Sequence, residues 1–181
     1  MSTNRLHFVQ SAPLSAAERK ASLRAQMKKR RGENENRDAK EALLLDNFLR
    51  AGLAEKERYF VYLSFSSEAP TDTPVTDGKE MRAVALGEDF TLSPFGVREP
   101  VGEPFEGTPD VVVLPLLAVD GRGVRLGYGG GYYDRFLERH PEALAVAYCF
   151  DFQIVREVPE EEHDRRAALI ISDKRIIRCR G

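Results

Sequence analysis

The chain has 181 residues, with 27 Lys and Arg against 29 Asp and Glu and a formal net charge of −2. That length fits one domain, the balance excludes a general polyanion binder, and a hydrophobic content of 42% excludes wholesale disorder. No apolar run approaches the roughly 18 residues of a spanning helix, the first twelve residues lack the apolar core of a secretory signal, and Cys149 and Cys179 make neither a disulfide framework nor a zinc site. The expected setting is the cytoplasm, with no membrane and no nucleic acid as partner.

Residues 1–14 are expected to form a flexible extension before a single α/β domain over 15–181. Ser15 and Glu18 form the capping pattern S-x-x-E, so a helix is expected to start there and run to about Arg31, where Gly32 can stop it. Between Arg19 and Arg31 lie seven basic residues and no acid. Lys20, Arg24, Lys28 and Arg31 share one helical face, which reads either as a phosphate-facing stripe or as a solvated basic face. A second helix is expected over 35–51, with Ala42, Leu45 and Leu49 as its apolar set and Leu44 and Phe48 beside it. Residues 59–64 read as a buried strand and 81–86 as a weaker one. Glu68 follows the first of these, at the end of a strand where open α/β sheets bind ligands, although an ordinary loop acid has the same pattern. Segment 91–109 carries four prolines and three glycines and reads as an extended surface loop.

The second half is the more informative. Strands are expected at 110–114, 144–148 and 167–172, a helix at 132–139 stopped by His140-Pro141, and a last short strand at 175–179. Between them lies 120–135, DGRGVRLGYGGGYYDR. Consecutive glycines let backbone N–H groups approach an anion, and the following helix offers its positive end to the same anion. Arg125 can clamp a phosphate and Asp134 can hold Mg²⁺. The run is neither a Walker A loop nor the dinucleotide fingerprint, and a turn with a structural Tyr-Tyr-Asp cap is the other reading. Asp164, in the acidic run 160–164, offers a second metal carboxylate or a solvated loop charge. His163 beside it, with His7 and His140, reads as incidental, and Cys149 reads as a small core residue.

The run DVVVLPLLAVDGRGVRLGYGGGYYDRFL resembles the signature of the 5-formyltetrahydrofolate cyclo-ligases, also called 5,10-methenyltetrahydrofolate synthetases. That signature reads approximately D-hydrophobics-P-G-x-x-F-D-x-x-G-x-R-L-G-x-G-x-G-Y-Y-D. Supporting pieces occur in the same order: K-x-x-x-R at Lys20 and Arg24, S-x-x-x-E-x-x-T at Ser64, Glu68 and Thr71, and Q-x-V-x-x-V-P from Gln153 to Pro159 followed by Asp164. The resemblance implies an ATP- and Mg²⁺-dependent ligase that converts 5-formyltetrahydrofolate to 5,10-methenyltetrahydrofolate, working as a monomer on small molecules. It implies that Lys20, Arg24, Arg125, Gly127, Gly129, Gly130, Gly131, Tyr132 and Tyr133 contact ATP, with Arg125 and Tyr133 at the reacting groups. It places Leu63, Glu68, Tyr128 and Gly129 through Tyr132 against the folate, and Asp134 and Asp164 on the metal.

Departures from the signature are Leu116 in place of a glycine, Val119 in place of an aromatic, and Tyr128 and Gly130 at loop positions that often carry basic residues. The larger departure is between Thr71 and Met81, where relatives place a crossover helix and a strand. A parallel crossover needs at least about 10–12 residues including its helix, and Pro74 and Gly78 oppose even a short one. The expected fold is therefore a three-layer α/β domain, a mostly parallel central sheet flanked by helices, lacking one crossover helix–strand segment. Strand 81–86 then either takes the vacated position or leaves the sheet narrower. A damaged folate pocket would make the chain a non-catalytic nucleotide or folate binder, which is the second functional reading.

Overall fold

The structure, a computed structural model, describes residues 13–53, 55–61, 75–77, 80–82, 84, 89–92, 98–103 and 107–179. In chain order the elements are α1 (Ala16–Gly32), α2 (Arg37–Arg50), β1 (Tyr59–Phe60), β2 (Val75–Asp77), β3 (Glu80–Arg82), β4 (Phe90–Leu92), β5 (Arg98–Pro100), β6 (Val111–Leu114), β7 (Ala118–Asp120), β8 (Arg125–Leu126), α3 (Tyr132–Arg139), β9 (Leu144–Tyr148), β10 (Ile154–Val155), β11 (Leu169–Ile171) and β12 (Ile176–Arg178).

The central sheet has the order β1-β6-β9-β11-β12. Its first four strands are parallel and β12 closes the edge antiparallel to β11. Strand β6 reads VVVL and every one of its side chains is buried, as expected of a parallel strand covered on both faces. The period of two divides it between two cores. Val112 and Leu114 join Phe60, Ala145, Ala147 and Ile170 under Phe136 and Leu137 of α3. Val111 and Val113 join Val146, Tyr148, Leu169 and Ile171 under Leu44 and Phe48 of α2. Each fully buried side chain of this kind contributes about 1.5–3 kcal/mol, so alternation alone makes the three layers.

A third core holds a smaller sheet, order β10-β7-β8, against α1 through Met27, Leu117, Ala118, Val124, Leu126 and Val158. Helix α1 begins as expected: Ser15 Oγ accepts from the Glu18 N–H at 3.2 Å, and the Glu18 carboxylate accepts from the Ser15 N–H at 2.8 Å. This packing carries the basic face of α1 to the loop that follows β8.

Two expectations need correction, and one open alternative is narrowed. Helix α2 turns the other way: Leu45 and Leu49 are exposed and so is Ala42, while Leu44 is fully buried and Phe48 packs edge-on against Tyr148 at 5.7 Å. Leu44, Phe48 and Ala51 also have helical spacing, and the aromatic contact favours their face. Segment 91–109 is not simply a surface loop, because β4 and β5 pair antiparallel and Glu99 and Pro100 are buried. Of the strand expected at 81–86, the described Met81 and Arg82 belong to β3, which pairs antiparallel with β2 and not with the central sheet, so of the two alternatives these residues favour the narrower sheet. Met81 packs beneath α3, and Arg139 Nη2 donates to the Met81 carbonyl at 3.2 Å. The strands expected at 110–114, 144–148, 167–172 and 175–179 and helix α3 lie where the sequence places them. Strand β1 covers the start of the strand expected at 59–64, whose residues 62–64 lie outside the described residues, and β2, β7, β8 and β10 have no counterpart among the expected strands. Leu63, Ser64, Glu68, Thr71 and His7 lie outside the described residues.

Candidate active site

The elements that the sequence singles out converge on one cleft of about 200 Å³, lined by Lys20, Arg24, Pro115, residues 125–134, Glu161, His163 and Asp164. Pro115 marks the C-terminal end of β6, and clefts at the carboxyl ends of parallel strands are where such sheets bind ligands. Four stretches of chain meet there: the inner face of α1, the end of β6, the glycine loop between β8 and α3, and the turn that leads toward β11.

The glycine loop is anchored from both sides. Arg24 Nε donates to the Gly127 carbonyl at 3.0 Å, and Arg31 Nη1 donates to the Tyr128 hydroxyl. Lys20 and Arg31 are each only 5% exposed, so α1 turns these cations inward, while Lys28 stays exposed 6.0 Å from the Tyr128 ring. Gly129 has φ +104° and Gly131 has φ +66°, conformations that a side chain makes costly. Gly131 caps α3 and its carbonyl accepts from the Arg135 N–H at 3.1 Å.

Arg125 reaches in from β8, 8% exposed. Its Nη2 donates to Asp134 Oδ1 at 2.9 Å, and the same oxygen accepts from the Arg165 N–H at 3.1 Å. Arg125 Nε is buried and has no hydrogen-bond partner among the described residues. A buried guanidinium N–H without an acceptor is costly, and a phosphate oxygen in the cleft is an acceptor of the right charge. With the loop amides beside it, the donor set fits a polyphosphate.

On the opposite wall Lys20 Nζ lies 2.6 Å from Glu161 Oε2 and 2.6 Å from Asp164 Oδ2. Burial pulls the Lys20 ammonium down, but its hydrogen bonds to Asp164 and Glu161 outweigh burial and hold it above the usual lysine range. Glu161 and Asp164 are tied in one turn, since the Glu161 N–H donates to Asp164 Oδ2 at 2.8 Å and the Asp164 N–H donates to the Glu161 carbonyl at 3.0 Å. Oxygen atoms of these two carboxylates and a ring nitrogen of His163 lie within 4.8 Å of one another. Two carboxylates with access to phosphate oxygens fit Mg²⁺.

The sequence therefore named most of this cleft, but two residues took on partners it did not foresee. Asp134 shares the cleft with Asp164, yet its near partner is Arg125. Glu161 was seen only as one charge in an acidic run; its E-x-x-D spacing to Asp164, which closes the turn, was the available signal. Leu63 and Glu68, expected against the folate, lie outside the described residues. Cys149 is buried in the core and its thiol is pushed up by burial, consistent with its reading as a core residue. His140 packs on Phe136 at 4.5 Å, away from the cleft lining, and burial lowers its pKa.

Comparison with known proteins bears on the cleft directly. The model of the 5-formyltetrahydrofolate cyclo-ligase family matches residues 73–173. The 5-formyltetrahydrofolate cyclo-ligase of Mycolicibacterium smegmatis is 34% identical over 138 residues, covering 73% of this chain and 66% of that one. The Escherichia coli cyclo-ligase is 39% identical over 69 residues, covering 37% of this chain and 38% of that one. The aligned part of this chain thus spans under two thirds of either relative. The solved structure of Aquifex aeolicus 5,10-methenyltetrahydrofolate synthetase superposes with a TM-score of 0.77 at 23% identity, over 90% of this chain and 93% of that one, and shares the fold. The family match takes in β6, the glycine loop, α3 and the Glu161–Asp164 turn, and on it this chain belongs to the 5-formyltetrahydrofolate cyclo-ligase family.

Proposed function

We propose that the protein converts 5-formyltetrahydrofolate to 5,10-methenyltetrahydrofolate at the expense of ATP, with Mg²⁺, releasing ADP and phosphate. The chemistry demands little covalent help from side chains. The formyl oxygen is a poor leaving group. Transfer of the γ-phosphoryl group onto it forms an O–P bond and releases ADP. N10 then attacks the activated formyl carbon, the C–O bond breaks, phosphate departs, and N10 loses its proton as the ring closes. Such a reaction calls for alignment and neutralisation of charge.

The observation that carries this reading is the convergence of Lys20, Arg24, Arg125, the 127–131 loop, Asp134, Glu161 and Asp164 on one cleft, in a chain of this family. In the proposal, loop amides and Arg125 bind the phosphates, with the Nε–H of Arg125 available to donate to the oxygen on which negative charge builds in the transferring group. Asp134 holds that guanidinium in place. Tyr132 and Tyr133, at the start of α3, frame the space where the pterin and the formyl group sit. Asp164, with Asp134 or Glu161, would hold Mg²⁺, which when bound neutralises part of the phosphate charge. Leu63 and Glu68 remain the proposed folate contacts.

The test is to mix the protein with 5-formyltetrahydrofolate, ATP and Mg²⁺ and follow the near-ultraviolet band of the methenyl product. ATP-dependent growth of that band is the expected result. A flat trace from folded protein that still binds ADP would sink the catalytic reading and leave a nucleotide-binding homologue.

A further inference from the structure

The cation expected to meet ATP is not turned toward the glycine loop. The Lys20 ammonium lies between two carboxylate oxygens, 2.6 Å from each, on a side chain that is 7% exposed. Glu161 and Asp164 together carry two negative charges and Lys20 returns one. His163 Nε2, 3.9 Å from Glu161 Oε2, sits on a side chain 77% exposed and is charged only when protonated. A divalent cation would neutralise the pair fully, at metal–oxygen distances of about 2.0–2.1 Å for Mg²⁺. It cannot share those oxygens with an ammonium at 2.6 Å without strong like-charge repulsion at short range.

We infer that Lys20 is the placeholder for the divalent cation at Glu161 and Asp164, and that binding is an exchange in which the metal takes the carboxylates and the lysine turns to the polyphosphate. The inference rests on the proposed metal role of Asp164, and adds Glu161 to it. Lys20, Arg24, Arg125 and the loop line the same cleft, so a released ammonium has phosphate oxygens within that cleft as its next partners. Charge explains why the two ligands must come together. Metal alone would expel a buried ammonium and leave it without an anion. A bare polyphosphate would draw the lysine away and leave two carboxylates uncompensated. A metal–triphosphate complex supplies both missing charges at once, so each component raises the affinity for the other, and by linkage to the same degree. Lys20 is thus a positioning residue in the resting site and a phosphate ligand in the loaded one.

The experiment measures Mn²⁺ binding to the whole protein by electron paramagnetic resonance, without nucleotide and with a non-hydrolysable ATP analogue. Wild type is compared with Lys20→Met, Lys20→Gln and the double variant Lys20→Met/Glu161→Gln. Removing the ammonium should raise the affinity for Mn²⁺ alone on the order of tenfold, and shrink the gain that the analogue confers, by the usual size of such couplings. The double variant should lose the increase, since one of the two carboxylates is gone. Mn²⁺ should also raise the melting temperature of Lys20→Met more than that of wild type, because it replaces a missing charge. Lys20→Gln keeps a hydrogen-bond donor and gives the same comparison if the methionine variant does not fold. Equal or weaker Mn²⁺ affinity in the lysine variants, or an increase that survives loss of Glu161, would overturn the exchange. Methenyl formation by the wild type, run in parallel, separates the two ideas. Product without the affinity increase removes the exchange alone, and the increase without product removes the cyclo-ligase reading alone.

Discussion

Two charged clusters in this molecule each set a basic side chain against carboxylate oxygens, with opposite architecture. Asp120, at the end of β7, is fully buried. Its Oδ1 accepts from the Arg122 and Val124 N–H groups, and its Oδ2 accepts from the Val158 N–H at 3.0 Å and from Nε and Nη2 of Arg122. Three of these five donors are backbone, fixed by the fold. In the Lys20–Glu161–Asp164 cluster, which lines a cleft, both bonds to the lysine run from side chain to side chain, and one backbone donor, the Glu161 N–H at 2.8 Å, also holds Asp164 Oδ2. A carboxylate fastened by three backbone donors from two stretches of chain cannot change partners without unfolding the loop that holds it, whereas Glu161 and Asp164, with one backbone donor inside their own turn, can release a side-chain ammonium at a cavity wall. The first stabilises and the second exchanges.

Breaking the open cluster and its neighbours should cost activity, and breaking the closed one should cost stability. The largest effect is expected from Arg125→Ala, with turnover reduced on the order of 10²–10³-fold, the usual loss when one preorganised donor to developing charge is removed. ATP should weaken far more than folate, measured by the two KM values; equal weakening would place Arg125 in the fold and not in phosphate binding. Asp120→Asn comes next. Loss of the buried charge and of one acceptor oxygen, with an NH2 donor set against N–H donors in its place, should lower stability by about 2–4 kcal/mol in urea denaturation, with ATP affinity of the folded protein unchanged. If ATP affinity fell as steeply as stability, the division between the clusters would fail.

The same contrast has a pH signature. Burial opposes ionisation of Asp120, but hydrogen bonds from Arg122 and the Val158 N–H outweigh it and keep its pKa below 3.8. At Asp151 the hydrogen bonds from Arg175 are the main cause of a lowered pKa. A carboxylate with a depressed pKa in the folded state contributes stability that is fully present above its unfolded value and lost as pH falls through the folded one. Stability should therefore hold above about pH 4 and decline below it, and Asp120→Asn should flatten that acid limb. An unchanged acid limb would remove Asp120 as its source. The smallest effect belongs to neither cluster: Ser15→Ala, which removes the cap of α1, should cost about 1 kcal/mol and leave turnover as it was.

What the sequence made legible follows the same division. Strand β6, strand β9, α3 and the glycine loop declare themselves because runs of apolar residues, a His140-Pro141 stop and an unbroken run of glycines are local facts. The face of α2 does not, because Leu45 with Leu49 and Leu44 with Phe48 both repeat at helical spacing, and only the Tyr148 ring across the interface decides between them. The β4–β5 pairing hides behind four prolines that read as a loop. In the cleft, Lys20, Arg24, Arg125, Asp134 and Asp164 are legible as members, but their pairing is not. Nothing local says that a lysine on α1 rests on acids 141 and 144 residues away, or that Asp134 serves Arg125. Membership of a site is written in motifs; the partner each charge holds is set by packing of α1 on the small sheet.

Phosphorylation of a formyl oxygen in this cleft, the step proposed above, is tested most directly by isotope tracing. 5-Formyltetrahydrofolate carrying ¹⁸O in the formyl group would be incubated with the protein, ATP and Mg²⁺, and the phosphate released would be examined by mass spectrometry. The expected result is one labelled oxygen in each phosphate formed, because the formyl oxygen leaves on phosphorus. Methenyl product accompanied by unlabelled phosphate would contradict the claim, since the oxygen would then have left by a route in which the γ-phosphoryl group never reached it.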